Sequence, residues 1–212
     1  MKDIIRDDMR KEVLELQFNQ VNKIDGFINY YLTWFLDSRF KITEEVTEFL
    51  NKQIRADNQT LQSIADKLKG KNPDETIINI LNYVLKNITY RSDIGEQWYY
   101  ATQILRRRND DCDGMNSLIY VLARYAGIPS YNLYCGIVDT ADPDDDLDHF
   151  TLFYWSTKSY DGKATYLYNI DATYQINTTP IKDRLPFQID KNGIAKIFYL
   201  FNEEDSWKVK NS

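Results

Sequence analysis

Asp110-Asp111-Cys112-Asp113-Gly114-Met115-Asn116-Ser117-Leu118-Ile119-Tyr120-Val121-Leu122-Ala123-Arg124-Tyr125-Ala126-Gly127-Ile128-Pro129 is the stretch on which the reading of this chain turns. Met115, Leu118, Ile119, Leu122, Tyr125 and Ala126 recur in steps of three and four, the period of a helix with one buried face. Asp111 stands at an N-cap position, Gly127 is suited to the C-terminal cap, and Pro129 prevents continuation. The predicted helix therefore starts at Cys112. A helix start offers unpaired N–H groups and the positive end of the macrodipole, which stabilise a thiolate and an oxyanion forming beside it. The carboxylates of Asp110, Asp111 and Asp113 oppose that charge, so the chemistry calls for an imidazolium alongside the sulfur.

Upstream, helical periods dominate. Val13, Leu14, Leu16, Phe18, Val21, Ile24, Phe27, Ile28 and Tyr31 predict one wide apolar face, with Gly26 interrupting it. Thr43 is expected to cap a helix through Val46, Phe49 and Leu50, and Asn58 or Thr60 one through Leu61, Ile64 and Leu68 that stops near Gly70. Pro73, with Asp74 and Glu75 behind it, opens a helix carrying Ile77, Ile80, Leu81, Val84, Leu85 and Ile88. A short helix around Ile104 and Leu105 ends before Arg106, Arg107 and Arg108.

Downstream of Pro129 the period becomes two. Tyr131, Leu133, Cys135 and Ile137 alternate with Asn132, Tyr134, Gly136 and Val138, as in a strand. An acidic loop from Asp139 to Asp148 leads to a second strand, His149–Trp155. A hairpin loop containing Asp161-Gly162 follows, then strands at Thr165–Asp171 and Ile194–Phe201. Helices first and antiparallel strands after predict an α+β fold. The expected organisation is a helical extension over 1–72, a core domain over 73–205 and a tail over 206–212.

The chain has 212 residues and a formal charge of −6, which argues against nucleic acid as a partner. No stretch approaches the ~20 apolar residues needed to cross a membrane, and MKDIIRDDMRK lacks the apolar core of a secretory signal. A cytoplasmic, reducing setting is the expectation. Two cysteines make no disulfide framework and no metal-binding pair, so no cofactor or metal is expected. Cys135 lies mid-strand with no ligand partner near it in sequence, which disfavours zinc or iron held by Cys112, Cys135 and His149. Asp142 to Asp148 lacks the glycine and terminal glutamate of an EF-hand and reads as a solvated loop.

His149 is the chain's single histidine. If the hairpin pairs Trp155 with Thr165, the same register sets His149 opposite Asp171, where a carboxylate can fix an imidazole's tautomer. Each residue also has a plainer reading: a small buried cysteine, an ordinary polar histidine, an aspartate capping a turn. The three nevertheless fall where one mechanism needs them.

These segments resemble the transglutaminase-like superfamily. Asp111-Cys112-Asp113-Gly114-Met115 and its continuation through Ala126-Gly127-Ile128-Pro129 are similar to that superfamily's nucleophile helix. His149-Phe150-Thr151-Leu152 and Asn169-Ile170-Asp171-Ala172-Thr173-Tyr174 resemble its histidine and aspartate strands, in the same order. The resemblance covers Ile77 to Tyr174. It implies a papain/transglutaminase-like core with Cys112 as nucleophile, His149 as base and Asp171 as orienter, and with Trp98 at the border of the active site. One departure is Asp148, where glycine is frequent. The implied reaction is acyl transfer from an amide of a protein or peptide substrate, with hydrolysis favoured because it needs no amine site. Cross-linking of a glutamine side chain to an amine, or a non-catalytic binding module on the same scaffold, are the alternatives. The N-terminal helices are left as a candidate protein-docking surface.

Overall fold

In the computed structural model, residues 46–92, 98–140, 149–156, 166–188 and 193–209 are described. The expected helix over Val13–Leu36, the Thr43 cap, residues 141–148 of the acidic loop and residues 157–163 of the hairpin loop lie outside them. Residues 46–55 are helical (α1). Asn58 caps α2 (Gln59–Leu68), its side chain accepting from the N–H groups of Thr60 and Leu61 at 3.0 and 3.2 Å. Asn72 does the same for α3 (Pro73–Asn87), accepting from Glu75 N–H, with Pro73 in the first turn where its missing donor costs nothing. Val46, Leu50, Leu61 and Ala65 enter the same buried cluster as Ile77, Ile80, Leu81 and Val84 of α3.

Two short strands, β1 (Thr89–Tyr90) and β2 (Asn109–Asp110), pair in parallel across α4 (Ala101–Arg107). This pair has no periodic signal in the sequence, because two residues carry no period. It leads the chain into α5 (Cys112–Tyr125), where eleven consecutive residues, Asp113 to Ala123, are buried. A one-faced helix was the expectation. Here α2, α3 and α4 pack on α5, and β4 crosses it as well, so its polar positions are enclosed too. Gly127 at φ +92° turns the chain out of α5. Its N–H donates to Arg124 O and the Ile128 N–H to Ala123 O, each at 3.0 Å, which closes the orphan carbonyls of the last turn.

After Pro129 a short 3-10 turn over Ser130–Asn132 delays the strand, so β3 runs Leu133–Thr140 rather than starting at Tyr131. β4 (His149–Trp155), β5 (Leu167–Ile170), β6 (Ile194–Phe201) and β7 (Ser206–Lys208) complete an antiparallel sheet of order β5-β4-β3-β6-β7. The fold is α+β, as expected. All of β3 is buried, although its residues alternate. Leu133, Cys135 and Ile137 join the helix-side core. Tyr134 and Val138 join a second cluster with Phe153, Trp155, Leu167, Ile197 and Leu200. Residues 206–208 fall in the tail expected over 206–212 from its Lys, Asn and Ser content. They pair instead with β6, through a turn in which Asn202 Oδ1 accepts from Glu204 and Asp205 N–H at 2.8 Å each. Among the described residues no helix is long and apolar enough to cross a membrane.

A side chain at Gly127 would meet nothing within 4 Å, so only backbone strain opposes it. Gly127→Ala should therefore lower stability by about 1–2 kcal/mol, read from urea melts. An unchanged midpoint would show that the helix end relaxes.

Candidate active site

The site is built where the start of α5 meets the start of β4 and the turn after β5. Cys112 occupies the first position of α5 and is half-buried. Asp111 does occupy the N-cap position, but its side chain makes no capping hydrogen bond. Its carboxyl interacts with Asp113 instead, so the expected side-chain cap is replaced by an acidic cluster. Asp110 completes that cluster, one ligand atom from each of Asp110, Asp111 and Asp113 lying within 4.8 Å of the others. Gly114 makes room for it: a Cβ there would fall 2.2 Å from the Asp110 Cγ. A glycine in the first turn of a helix otherwise only weakens it, and this was the overlooked signal.

Burial, then the neighbouring Asp111, Cys112 and Asp110, push the Asp113 carboxyl up to about 10. The buried Oδ1 atoms of Asp111 and Asp113 accept no hydrogen bond among the described residues. Two agents can relieve such a cluster: a proton held between carboxyls, or a cation. The three residues fit an oxygen-liganded divalent ion, whereas no metal is expected from the sequence.

His149, at the first position of β4, is 8% exposed. Its Nε2 lies 2.5 Å from Asp171 Oδ2, and the Cys112 side chain is among the groups that act on its charge. With Nε2 engaged by Asp171, Nδ1 is the nitrogen left for the sulfur. The register behind this differs from the one expected. β4 and β5 pair Trp155 with Leu167 and Leu152 with Ile170, two residues along from Trp155 opposite Thr165. Continued one step further, this register sets Thr151, not His149, opposite Asp171. A slip of two preserves which face a side chain takes, so His149 meets Asp171 as a diagonal neighbour. Thr151 fills the direct position, its Oγ1 donating to Asp171 Oδ2 at 2.8 Å.

Asp171 is 1% exposed. Its Oδ1 accepts from Thr173 N–H at 2.7 Å, Thr173 Oγ1 at 3.0 Å and Tyr174 N–H at 3.1 Å. Burial opposes its charge, but the bond and attraction to His149 and the two backbone donors hold it down at about 2. Burial likewise opposes a charged His149, yet Asp171 and Cys112 outweigh it and raise the imidazole to about 10. Asn169 Nδ2 donates to Thr151 Oγ1 at 2.7 Å, which steers that hydroxyl's proton towards Asp171. Tyr174 lays its ring 5.6 Å from the imidazole. Trp98 packs edge-on against Phe150, the neighbour of His149, at 5.3 Å. Cys135 stands apart in mid-β3 opposite Leu152, fully buried, and burial pushes its thiol well up.

Comparison with known proteins agrees with this architecture. The sequence profile described as "Transglutaminase-like superfamily" matches residues 62–163. Among solved structures, LapG of Legionella pneumophila superposes with a TM-score of 0.53 at 16% identity, over 78% of this chain and 89% of LapG. A calcium-bound form of LapG gives 0.53 at 14% identity, over 78% and 90%. An EGTA-treated form gives 0.52 at 16%, over 77% and 86%. At these identities the likeness is one of fold. No curated protein matches the chain.

Relative to unfolded values of 6.5 for histidine and 3.8 for aspartate, the pair has a defined pH window. The His149 contribution to stability is complete below 6.5 and is lost as pH rises through about 10. The Asp171 contribution is complete above 3.8 and is lost as pH falls through about 2. The gap in Tm between wild type and His149→Gln should be widest between pH 3.8 and 6.5 and should close towards pH 10. A gap independent of pH would mean that His149 is not charged in the fold.

Proposed function

Because residues 62–163 belong to the transglutaminase-like superfamily, we propose that this chain is a cysteine-dependent acyl-transfer enzyme that hydrolyses amide bonds of a protein or peptide. Cys112 is its nucleophile, His149 its acid–base group and Asp171 its orienter. The observation that supports this reading is the chain's single imidazole bonded to a buried carboxylate, with the Cys112 side chain at the start of α5 among the groups that raise its pKa.

In the first step the Cys112 thiolate attacks the amide carbonyl. The tetrahedral oxyanion is met by the backbone N–H of Cys112, one of the helix's orphan donors. As the C–N bond breaks, His149 passes its Nδ1 proton to the departing amine and a thioester remains. Water then attacks the thioester while the neutral imidazole takes its proton, and the acid and the thiolate are released. Asp171 stays ionised throughout, holding Nε2–H and so keeping Nδ1 towards sulfur. Trp98, packed against Phe150 beside His149, is assigned to the border of the site.

The reading is tested on a tryptic peptide library, by mass-spectrometric counting of new termini, with and without an added primary amine. Wild type should create new carboxyl termini. Cys112→Ala and His149→Ala should lose nearly all of this activity, and Asp171→Asn should lose on the order of a thousandfold or more by favouring the wrong tautomer. Iodoacetamide should modify Cys112 much faster than Cys135. Amine incorporated in place of hydrolysis would assign transamidation. Equal labelling of the two thiols with no cleavage would leave a binding module.

The calcium-bound description of a LapG form also bears on the acidic cluster. We assign Asp110, Asp111 and Asp113 as the residues that would hold a calcium ion here. The ion would supply positive charge that relieves their mutual repulsion beside Cys112. At about a hundredfold over its Kd, a bound ion stabilises a fold by about 2.7 kcal/mol. Calcium should therefore raise the Tm of wild type by several degrees over an EGTA control, and that of Asp113→Asn much less. No shift, or an equal shift in both proteins, would leave the shared proton as the agent that relieves the cluster.

A further inference from the structure

We propose that Asn116 is a positioning residue that sets the distance between Cys112 and the His149–Asp171 pair. It lies one helical turn beyond Cys112 on α5, at the i+4 spacing that puts both side chains on one face. It is fully buried. Its Nδ2 donates to Phe150 O at 2.8 Å and reaches Asp171 Oδ1 at 3.4 Å, while its Oδ1 accepts from Ala172 N–H at 3.0 Å. One amide on the nucleophile's helix thus holds the residue after His149 and, on the other side, Asp171 and the residue after it.

The chemistry of the group fits the task. An amide presents donor and acceptor at fixed separation, matching the strand carbonyl of Phe150 and the turn N–H of Ala172. Valine or leucine would fill the volume but would leave Phe150 O and Ala172 N–H buried without partners. Asparagine is a mediocre helix former that favours caps and turns, so its place in the middle of α5 is explained by these three contacts and not by propensity. Displacing a reacting group by about 1 Å can cost on the order of a hundredfold in rate. A contact that spaces sulfur from imidazole is therefore worth more to turnover than to folding.

This inference rests on the proposed roles of Cys112 and His149, and the single histidine lets one spectrum separate the two ideas. Nitrogen-15 NMR of tag-free protein follows the His149 ring through a pH titration. A wild-type imidazole that titrates like a free one would sink the catalytic reading itself. With the wild-type ring titrating high, Asn116→Ala, folded by circular dichroism, should lower its midpoint by about one unit or more. It should also slow iodoacetamide alkylation of Cys112 roughly tenfold or more. A folded Asn116→Ala with both readouts unchanged would overturn the positioning role alone. Should Asn116→Ala not fold, Asn116→Asp keeps the volume, and its neutral acid donates where the amide did. Its alkylation rate relative to wild type should climb as pH falls. A ratio flat with pH would overturn the proposal.

Discussion

An ionised carboxylate at 1% exposure has lost its water and is strongly destabilising unless donors replace it. Asp171 obtains its donors from several directions. Its own turn supplies Thr173 and Tyr174, β4 supplies Thr151 and His149, and α5 supplies Asn116. Most of these bonds are independent of the imidazole, so the carboxylate's position is fixed before the ring is considered. Only Oδ2 is shared between a structural donor, Thr151, and His149. The imidazole must come to the carboxylate, and its Nδ1 is thereby aimed. The order of cause runs from turn to carboxylate to ring to sulfur.

The opposite end of the site meets the reverse problem. Three acidic side chains crowd the first turn of α5, beside a sulfur that must carry negative charge to react. A charge that the helix start favours is one that its neighbours disfavour. The burial of Asp113 moderates this conflict, because a carboxyl held at about 10 is neutral near pH 7. Bound calcium would achieve the same by another route. Gly114 is the geometric condition for either, since any side chain there would collide with Asp110. The acidic cluster and the imidazole thus flank Cys112 with charges of opposite sign.

The sequence made the major helices and the sheet legible because their periods are long. The cap left open between Asn58 and Thr60, the start of α3 at Pro73, the exit at Gly127 and the limits of β4 and β6 all follow from local chemistry; the Asn72 cap was not read. What escaped was set by tertiary partners. The β4–β5 register depends on a loop whose length does not determine its turn, and the two-residue slip was harmless only because the side-chain period is two. Asp111 reads as a cap from its position, yet its side chain makes no capping bond and belongs to the acidic cluster with Asp110 and Asp113. Asn116, Thr151 and Asn169 carry no pattern at all. An asparagine inside a helix or a threonine inside a strand is unremarkable until the group that it bonds is known. Cys112 and His149 stood out as candidates because this chain has two cysteines and one histidine, and Asp171 stood out only through its place on the strand after His149. The groups that aim them are common types in ordinary surroundings.

The same reasoning explains why α5 is polar in places yet enclosed all round. Its far end is fixed as firmly as its start. Tyr120 donates to Glu203 Oε2, Arg124 Nε donates to Glu203 Oε1 at 2.6 Å, and the Glu203 N–H donates back to the Tyr120 hydroxyl at 3.1 Å. Burial raises the Glu203 carboxyl to about 7, so this tie is itself under electrostatic tension. Asn51 adds a bond from α1 to the Glu203 carbonyl. Asn116 therefore holds the front half of α5 to β4 and the Asp171 turn, and Glu203 holds the back half to the β6–β7 turn. A helix held at both ends cannot slide to open a cleft. These ties make Cys112, His149 and Asp171 parts of one fixed frame built from α5, β4 and the turn after β5.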